Sequence, residues 1–402
     1  MPLRLPSAAA AAAELRLERR PSDRPGGAQV RRSTGSGSPG QGPIDWQQAV
    51  RTGQRLVPTG PRLSAGEAAA VVESLRRFSV EAETATRHTT GLDDGRPPET
   101  AEVVDRRGWV AATAGGMEQL IGPLAERLVA AAGGPDPDLL PGGAVARPLG
   151  ATLALLSGKV LGQYDPLSVA PGATTAGRLL LVAPNVVKVH RTLQVDPDDF
   201  GLWVCLHEST HRLQFRAVPW MPEHFRALVA RQLEAAYPAG EDADGPGPLE
   251  LLSRVRSVLG ERPGRRARSG APEPDTAWIR RMGDPALQVV FDELMAFMAL
   301  LEGHADFVMD AVGPSVIPTV GRIRTAFDAR RARRRGLVDR VLHQLLGMDQ
   351  KMAQYVKGAA FVREVVDRVG MDQFNAVWTS PATLPTAAEI TDPPSWITRV
   401  LG

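Results

Sequence analysis

Apolar residues recur three and four positions apart through most of the chain, which is the spacing of one face of an α-helix. Ser64 and Glu67 have the spacing of a capping box and mark the start of one such segment. Asp196-Pro197 and Asp284-Pro285 each pair an N-cap residue with a first-turn proline, where the missing N–H costs no hydrogen bond. The predicted helices cover 64–88, 108–132, 146–162, 196–218, 249–259, 286–312, 337–346 and 348–369.

A short β-branched run over 178–190 carries the best strand signal in the chain. Pro184 interrupts this run, and a proline cannot donate a hydrogen bond to the ladder of a central strand. We therefore predict an edge strand near 178–190 in a small sheet. The expected fold class is mainly α-helical, of the α+β type.

Composition divides the chain into a tail and one domain. Residues 1–43 are rich in Arg, Ser, Gly and Pro and cannot bury enough apolar surface to offset chain entropy, so we predict a disordered tail. Residues 44–402 are predicted to form a single domain. Its parts are N-terminal helices and the strand over 44–195, a central helix over 196–218, a loop-rich insertion over 238–284 and a helical part over 285–402.

Charge and cysteine content exclude several classes of protein. Lys and Arg number 47 and Asp and Glu 45, and a formal net charge of +2 predicts no nucleic-acid partner. No run approaches the roughly 18 consecutive apolar residues of a membrane span, so no membrane partner is expected. Cys205 is the only cysteine, which excludes an intrachain disulfide. Together these features predict a cytoplasmic protein.

The segment His207-Glu208-Ser209-Thr210-His211 lies inside the helix predicted over 196–218. Histidines at i and i+4 share a helix face, so both imidazoles can reach one metal ion, while Glu208 projects to the side where a metal-bound water would sit. This geometry suits zinc hydrolysis. The alternative is a pair of surface histidines on an amphipathic helix, which the apolar neighbours disfavour because unpaired histidines are costly to bury.

A hydrolytic zinc site needs a third protein ligand and one position left for water. The helix predicted over 286–312 offers Glu302, His304 and Asp306 among apolar residues. Glu302 and Asp306 share a helix face, whereas His304 lies about 200° around the helix from Glu302. We predict Glu302 as the third metal ligand and Asp306 as the acceptor for the outer N–H of a ligating histidine. His304 is the alternative ligand, but we favour a packed interior histidine there.

This order of residues resembles the gluzincin arrangement of thermolysin-like metalloproteases, in which His-Glu-x-x-His precedes Glu-x-x-x-Asp on a later helix. The sequence beyond these motifs is similar to that of a family of actinobacterial zinc-dependent metalloproteases, which is also described as associated with coenzyme F420 biosynthesis. The segments that carry this resemblance are Leu-Gly-Gln-Tyr at 161–164, Ala-Pro-Asn at 183–185, the stretch 203–215, Leu-Glu-Gly-His-Ala-Asp at 301–306, Gln-Lys-Met-Ala-Gln-Tyr at 350–355 and Asn-Ala-Val-Trp at 375–378.

The resemblance covers about residues 44–400 and implies a zincin-like, mainly helical fold and a peptidase activity. His211 and Glu302 stand further apart in the chain than in thermolysin-like enzymes, and the insertion over 238–284 accounts for much of this separation.

In the predicted reaction, zinc polarises the scissile carbonyl and lowers the pKa of its bound water. Glu208 accepts the proton of this water and passes it to the leaving amine. The oxyanion needs a further donor. Tyr355 is the first candidate, ahead of His343 and Lys351, because all three lie in the helical segments that follow the third ligand.

Three functions fit the motif: a zinc metallopeptidase, a non-catalytic zincin-like scaffold or partner-binding protein with a structural metal, and a zinc amidohydrolase acting on a small molecule. Glu208 favours an enzyme, because a structural site does not need a carboxylate beside its metal. An edge strand near Pro184 and Asn185 would let an extended peptide pair with the sheet. We therefore expect a peptidase that acts on a peptide or protein.

Overall fold

Helices dominate the computed structural model, which describes residues 43–131, 143–169, 176–236, 285–333 and 352–402. These residues belong to one compact unit, Gln41–Gly402. The helices are α1 (Trp46–Leu56), α2 (Ala65–Thr90), α3 (Arg106–Ala131), α4 (Gly143–Ser157), α5 (Ala183–Leu193), α6 (Pro197–Arg216), α7 (Met221–Ala236), α8 (Pro285–Ala311), α9 (Val320–Arg333), α10 (Met352–Phe374) and α11 (Pro393–Leu401). The strands are β1 (Glu102–Val104), β2 (Gly162–Val169) and β3 (Ala176–Val182), and two 3₁₀ turns cover Asn375–Trp378 and Pro381–Thr383.

The expected fold class, mainly helical with a small sheet, is confirmed. Residues 1–42 of the predicted tail, the insertion predicted over 238–284, and the helices predicted over 249–259 and 337–346 lie outside the described ranges. Among the described residues, every helix is too short or too polar to cross a lipid bilayer.

Side-chain caps set the starts of α2 and α6 as the sequence predicts. The Ser64 hydroxyl accepts the N–H of Glu67 at 3.2 Å, and the Glu67 carboxylate accepts the N–H of Ser64 at 2.7 Å. At α6, the Asp196 carboxylate accepts two N–H groups of the first turn, with Pro197 as the first helical residue.

The three strands form one mixed sheet with the order β1-β3-β2. β3 is the central strand, because it pairs parallel with β1 and antiparallel with β2. The prediction of an edge strand near 178–190 is therefore wrong. β3 ends at Val182, and Pro184 lies in the first turn of α5, where a missing N–H leaves no hydrogen bond unmade.

Asn185 has a structural role in place of the predicted contact with a peptide. Its side chain is buried, donates to the carbonyl oxygens of Ser157 and Val160 at 2.7 and 2.5 Å, and accepts from Arg106 at 2.8 Å. The amide therefore ties the start of α5 to the end of α4 and to the start of α3.

α6 is the central helix and is buried along most of its length. Phe200, Trp203 and Leu206 pack in a core shared with α2 and the sheet. Leu213 and Phe215 pack in a second core shared with α7, α8 and α10. Because each large apolar side chain stabilises its position by roughly 1.5–3 kcal/mol, α6 is firmly held between the two cores.

Buried ion pairs fix the C-terminal half of α6 to α2 and to the segment that follows α2. Arg212 donates to Glu83 at 2.5 Å, and Arg216 pairs with Asp94 at 2.7 Å. Arg87 reaches both carboxylates, at 2.6 and 2.7 Å. Each buried carboxylate therefore has two guanidinium partners, which offsets the cost of its desolvation.

α8 and α10 approach each other at two glycines. A β-carbon on Gly303 would clash with the backbone of Gly358, and one on Gly358 would clash with the carbonyl of Ala299. The two helix backbones therefore touch, which only glycine permits. Because Glu302 is the neighbour of Gly303, this contact fixes the position of Glu302 along α8 relative to α10.

Candidate metal centre

His207 and His211 lie one turn apart on α6 and direct their imidazoles to the same point. Their Nε2 atoms are 3.2 Å apart, and the rings meet edge to face. Both side chains are largely buried, with exposed fractions of 22% and 13%. The convergence follows from the i, i+4 spacing, because residues four apart lie nearly above one another on a helix.

Glu302 on α8 faces these two nitrogens. Its Oε2 lies 3.5 Å from Nε2 of His207, and its Oε1 lies 3.6 Å from Nε2 of His211. Among the described residues, His207, His211 and Glu302 form the group whose ligand atoms all lie within 4.8 Å of one another. Two imidazole nitrogens and one carboxylate are the donors of a hydrolytic zinc site, so these residues fit that metal.

Charge makes the cluster favourable for a cation. Burial alone would lower the pKa of His207, but the hydrogen bond that His207 donates to Glu302 and the charges of Glu302, Glu208 and Asp306 raise it to about 9. The pKa of His211 is lowered, chiefly by burial and also by the charge of His207, although Glu302 opposes both. The carboxylates therefore favour a positive charge at this point.

Glu208 is buried beside the cluster, with an exposed fraction of 6%. The backbone N–H of Tyr164, on β2, donates to its carboxylate. A β-carbon on Gly162 would lie 2.5 Å from Cγ and 2.8 Å from Oε1 of Glu208, so the glycine provides the space that the carboxylate occupies. Burial raises the pKa of Glu208 to about 7, despite the charge of His207.

The outer nitrogens of the two histidines meet partners that differ from the prediction. Nδ1 of His211 lies 2.9 Å from Oε1 of Gln214, and Nδ1 of His207 lies 3.3 Å from Sδ of Met309. Asp306 does not take the predicted place behind either histidine. Arg324 on α9 pairs with the Asp306 carboxylate at 3.3 Å and donates to its carbonyl oxygen, so Asp306 acts on His207 only through its charge.

His304 is fully buried and lies apart from the three converging ligand atoms. Its ring packs against Phe374 and Trp378, and its Nδ1 lies 3.1 Å from Nε2 of Gln214. Burial, together with the charge of His211, lowers the pKa of His304 to about 3. The structure therefore contains a neutral, packed histidine at this position, which is the interpretation that the sequence favours.

The candidate oxyanion donors lie where the structure describes no side chains. Tyr355 is in the first turn of α10, but its side chain lies outside the described part of the structure. His343 and Lys351 lie outside the described residues altogether.

Sequence reasoning missed Gln214, Gly162 and Met309. Gln214 follows His211 by three positions on the same helix, and this spacing is a signal that could have identified it. Gly162 and Met309 reach the site from a strand and from another helix, so no local pattern indicates their contacts.

A His-Glu-x-x-His helix, a carboxylate from a later helix and a small mixed sheet within a mainly helical fold define a hydrolase of the zincin type. The chain belongs to the zincin-like metallopeptidase family, whose model matches residues 44–397. Zinc is the metal that this family implies. This family match carries no association with coenzyme F420 biosynthesis.

The chain is also similar to a solved structure from Chloroflexus aurantiacus, described as a candidate hydrolase with a novel fold. The two share 29% sequence identity and a TM-score of 0.60, over 89% of this chain and 98% of the other. Among the curated proteins, none matches this chain.

Proposed function

We propose that this chain is a zinc-dependent metallopeptidase in which His207, His211 and Glu302 hold the metal and Glu208 is the general base. One observation carries the proposal: a buried carboxylate, held by the N–H of Tyr164, lies beside three converging ligand atoms. A scaffold with a structural metal has no use for such a group. Burying a carboxylate costs free energy, and buried carboxylates with perturbed pKa values cluster at functional sites.

Zinc, when bound, supplies Lewis acidity toward a carbonyl oxygen and toward water. Glu208 takes a proton from the attacking water and later delivers it to the amine that leaves. Burial raises the pKa of this carboxylate and so makes it a stronger base than an exposed glutamate. The N–H of Tyr164 and the space at Gly162 hold the carboxylate in one place while the proton moves.

The free edge of β2 supports a peptide as the substrate. The carbonyl oxygen of Leu161 accepts from the N–H of Val182, the last residue of β3, whereas the N–H of Tyr164 donates to Glu208. Because successive residues of a strand direct their N–H and C=O groups to opposite sides, Gly162 and Tyr164 face away from β3. Among the described residues β2 pairs with β3 alone, and Glu208 takes the N–H of Tyr164 on the other edge, so an extended peptide added to that edge would run past Glu208 without using this N–H.

The substitution Glu208→Gln tests the general base. The amide has nearly the shape of the carboxylate and is not a proposed ligand, so the variant is expected to fold and to bind zinc as the wild type does. It cannot accept a proton, so we expect hydrolysis of a mixed peptide library, followed by mass spectrometry, to fall roughly 100-fold or more. Ser209→Ala is the matched control, because the neighbouring hydroxyl is buried and makes no hydrogen bond within the described residues.

Equal turnover in Glu208→Gln and the wild type would exclude Glu208 as the base. Zinc binding with no hydrolysis of peptides or of simple N-acyl amides by the wild type would favour a scaffold. Hydrolysis of the amides alone would favour a small-molecule amidohydrolase.

A further inference from the structure

Gln214 connects the two helices that carry the proposed ligands. It belongs to α6, is fully buried, and contacts one residue of α6 and two residues of α8. Its Oε1 lies 2.9 Å from Nδ1 of His211. Its Nε2 lies 3.0 Å from the carbonyl oxygen of Leu301 and 3.1 Å from Nδ1 of His304.

The Leu301 carbonyl determines which way the Gln214 amide points. A backbone carbonyl oxygen only accepts hydrogen bonds, so the atom facing it must be the amide nitrogen, and the amide oxygen must face His211. An amide oxygen also only accepts. Nδ1 of His211 therefore carries a proton, and its Nε2 keeps a lone pair directed toward His207 and Glu302.

His304 completes the set of contacts around this amide. The second amide N–H of Gln214 is directed at Nδ1 of His304, which must then be an acceptor. The remaining proton of His304 lies on Nε2, which is buried and has no hydrogen-bond partner within the described residues. This unpaired buried N–H of His304 costs free energy. In the same arrangement, both N–H groups and the oxygen of Gln214 form hydrogen bonds.

We propose that Gln214 is a positioning residue that holds His211 in its Nδ1–H form, so that Nε2 is ready to bind the metal, and that Leu301 and His304 hold Gln214 in the required orientation. This inference rests on the proposed zinc centre. It assigns to a neutral amide the role that the sequence suggested for Asp306.

Nitrogen-15 labelling of histidine in the full-length protein tests the proposal directly. Long-range nitrogen–proton spectra distinguish an Nδ1–H imidazole from an Nε2–H imidazole, and loss of the signal in His211→Gln assigns it. In metal-free wild type we expect His211 to carry its proton on Nδ1. A wild-type His211 protonated on Nε2 alone overturns the proposal, whatever the variants do.

Two substitutions separate orientation from packing. Gln214→Met keeps the length of the side chain but removes the acceptor, so we expect His211 to lose its preference for Nδ1–H and zinc affinity to fall roughly 10 to 100-fold. Gln214→Glu keeps an acceptor for the Nδ1–H of His211 and loses both N–H groups that Leu301 and His304 accept, so we expect the Nδ1–H preference to return toward the wild type while the protein loses stability. Thr210→Val is the matched control, because Thr210 is equally buried, adjacent to His211 and bonded only within its own helix.

An unchanged His211 tautomer and zinc affinity in Gln214→Met would overturn the proposal, as would losses in Thr210→Val as large as those in Gln214→Met, which would indicate a packing role. These outcomes differ from failure of the proposed function. If the wild type bound no zinc, the tautomer of His211 would still be read from the metal-free spectra.

Discussion

Gly162 and Glu208 are so close that the strand residue has room for no side chain: a β-carbon on Gly162 would lie 2.5 Å from Cγ of Glu208. The contact joins the free edge of β2 to the central helix at the proposed general base. The glycine is required here for space.

Gly162→Ala is therefore expected to displace the carboxylate and to leave the metal ligands in place. We expect full zinc content and a kcat/KM for peptide hydrolysis that falls roughly 100-fold, the lower end of what a general base contributes. Gly115→Ala is the control, because nothing lies within 4 Å of a β-carbon at that position. Wild-type turnover in Gly162→Ala would show that the contact does not position Glu208.

The three proposed ligands differ from other polar residues in their effect on metal content. His207→Ala and His211→Ala are expected to abolish zinc binding, and Glu302→Ala to lose most of it, because each removes one of three protein donors. Elemental analysis of protein reconstituted with zinc measures this. His88→Ala changes an exposed histidine and should bind as the wild type does. Stoichiometric zinc in all three ligand variants would contradict the assignment.

Asp306→Asn is expected to leave zinc content unchanged, because the Asp306 carboxylate pairs with Arg324 and not with a ligating histidine. The pair is partly exposed, so its loss should lower the free energy of unfolding by about 1 kcal/mol or less. Urea unfolding and zinc titration measure the two effects. A loss of zinc affinity as large as that of Gln214→Met would restore Asp306 to the role that the sequence suggested.

The spacing of residues along α6 and α8 was sufficient to predict which side chains share a face, and the structure places His207, His211 and Glu302 accordingly. The same spacing was insufficient for Asp306. Its helix face is as predicted, but Arg324 comes from a helix whose packing no local pattern reveals.

Pro184 illustrates a different limit. The apolar run was correctly interpreted as containing a strand, but the proline marks the start of the next helix and not a place within the strand. A proline suits both an edge strand and a helix N-terminus, so its presence alone does not distinguish them.

Asp94 provides a prediction for acidic pH. Burial alone would raise its pKa, but the N–H of Arg96 and the charges of Arg216 and Arg87 lower it below 3.8. A carboxylate whose pKa is lower in the folded protein than in the unfolded chain stabilises the fold at pH values above its unfolded-state pKa. This stabilisation is lost as the pH falls below about 3.8, the ordinary pKa of an aspartate.

Asp94→Asn should thus lower the free energy of unfolding by about 2 kcal/mol at pH 7, as expected for hydrogen bonds to charged groups. Urea unfolding of both proteins measures this difference in the free energy of unfolding, which should be smaller at about pH 3 than at pH 7. Asp372→Asn, an exposed substitution, serves as the control. A difference that stays constant between the two pH values would contradict the ionic origin of the effect.

The proposed ligands come from α6 and α8, which are distant along the chain. Gln214 of α6 and Leu301 of α8, which share a hydrogen bond, are 87 positions apart. Coordination would close this long loop, and cross-links that close long loops restrict the unfolded chain the most. Cys205 is the only cysteine, so no disulfide within the chain can do the same. Zinc would then act as a reversible cross-link between α6 and α8, and its release would loosen the fold where the chemistry takes place.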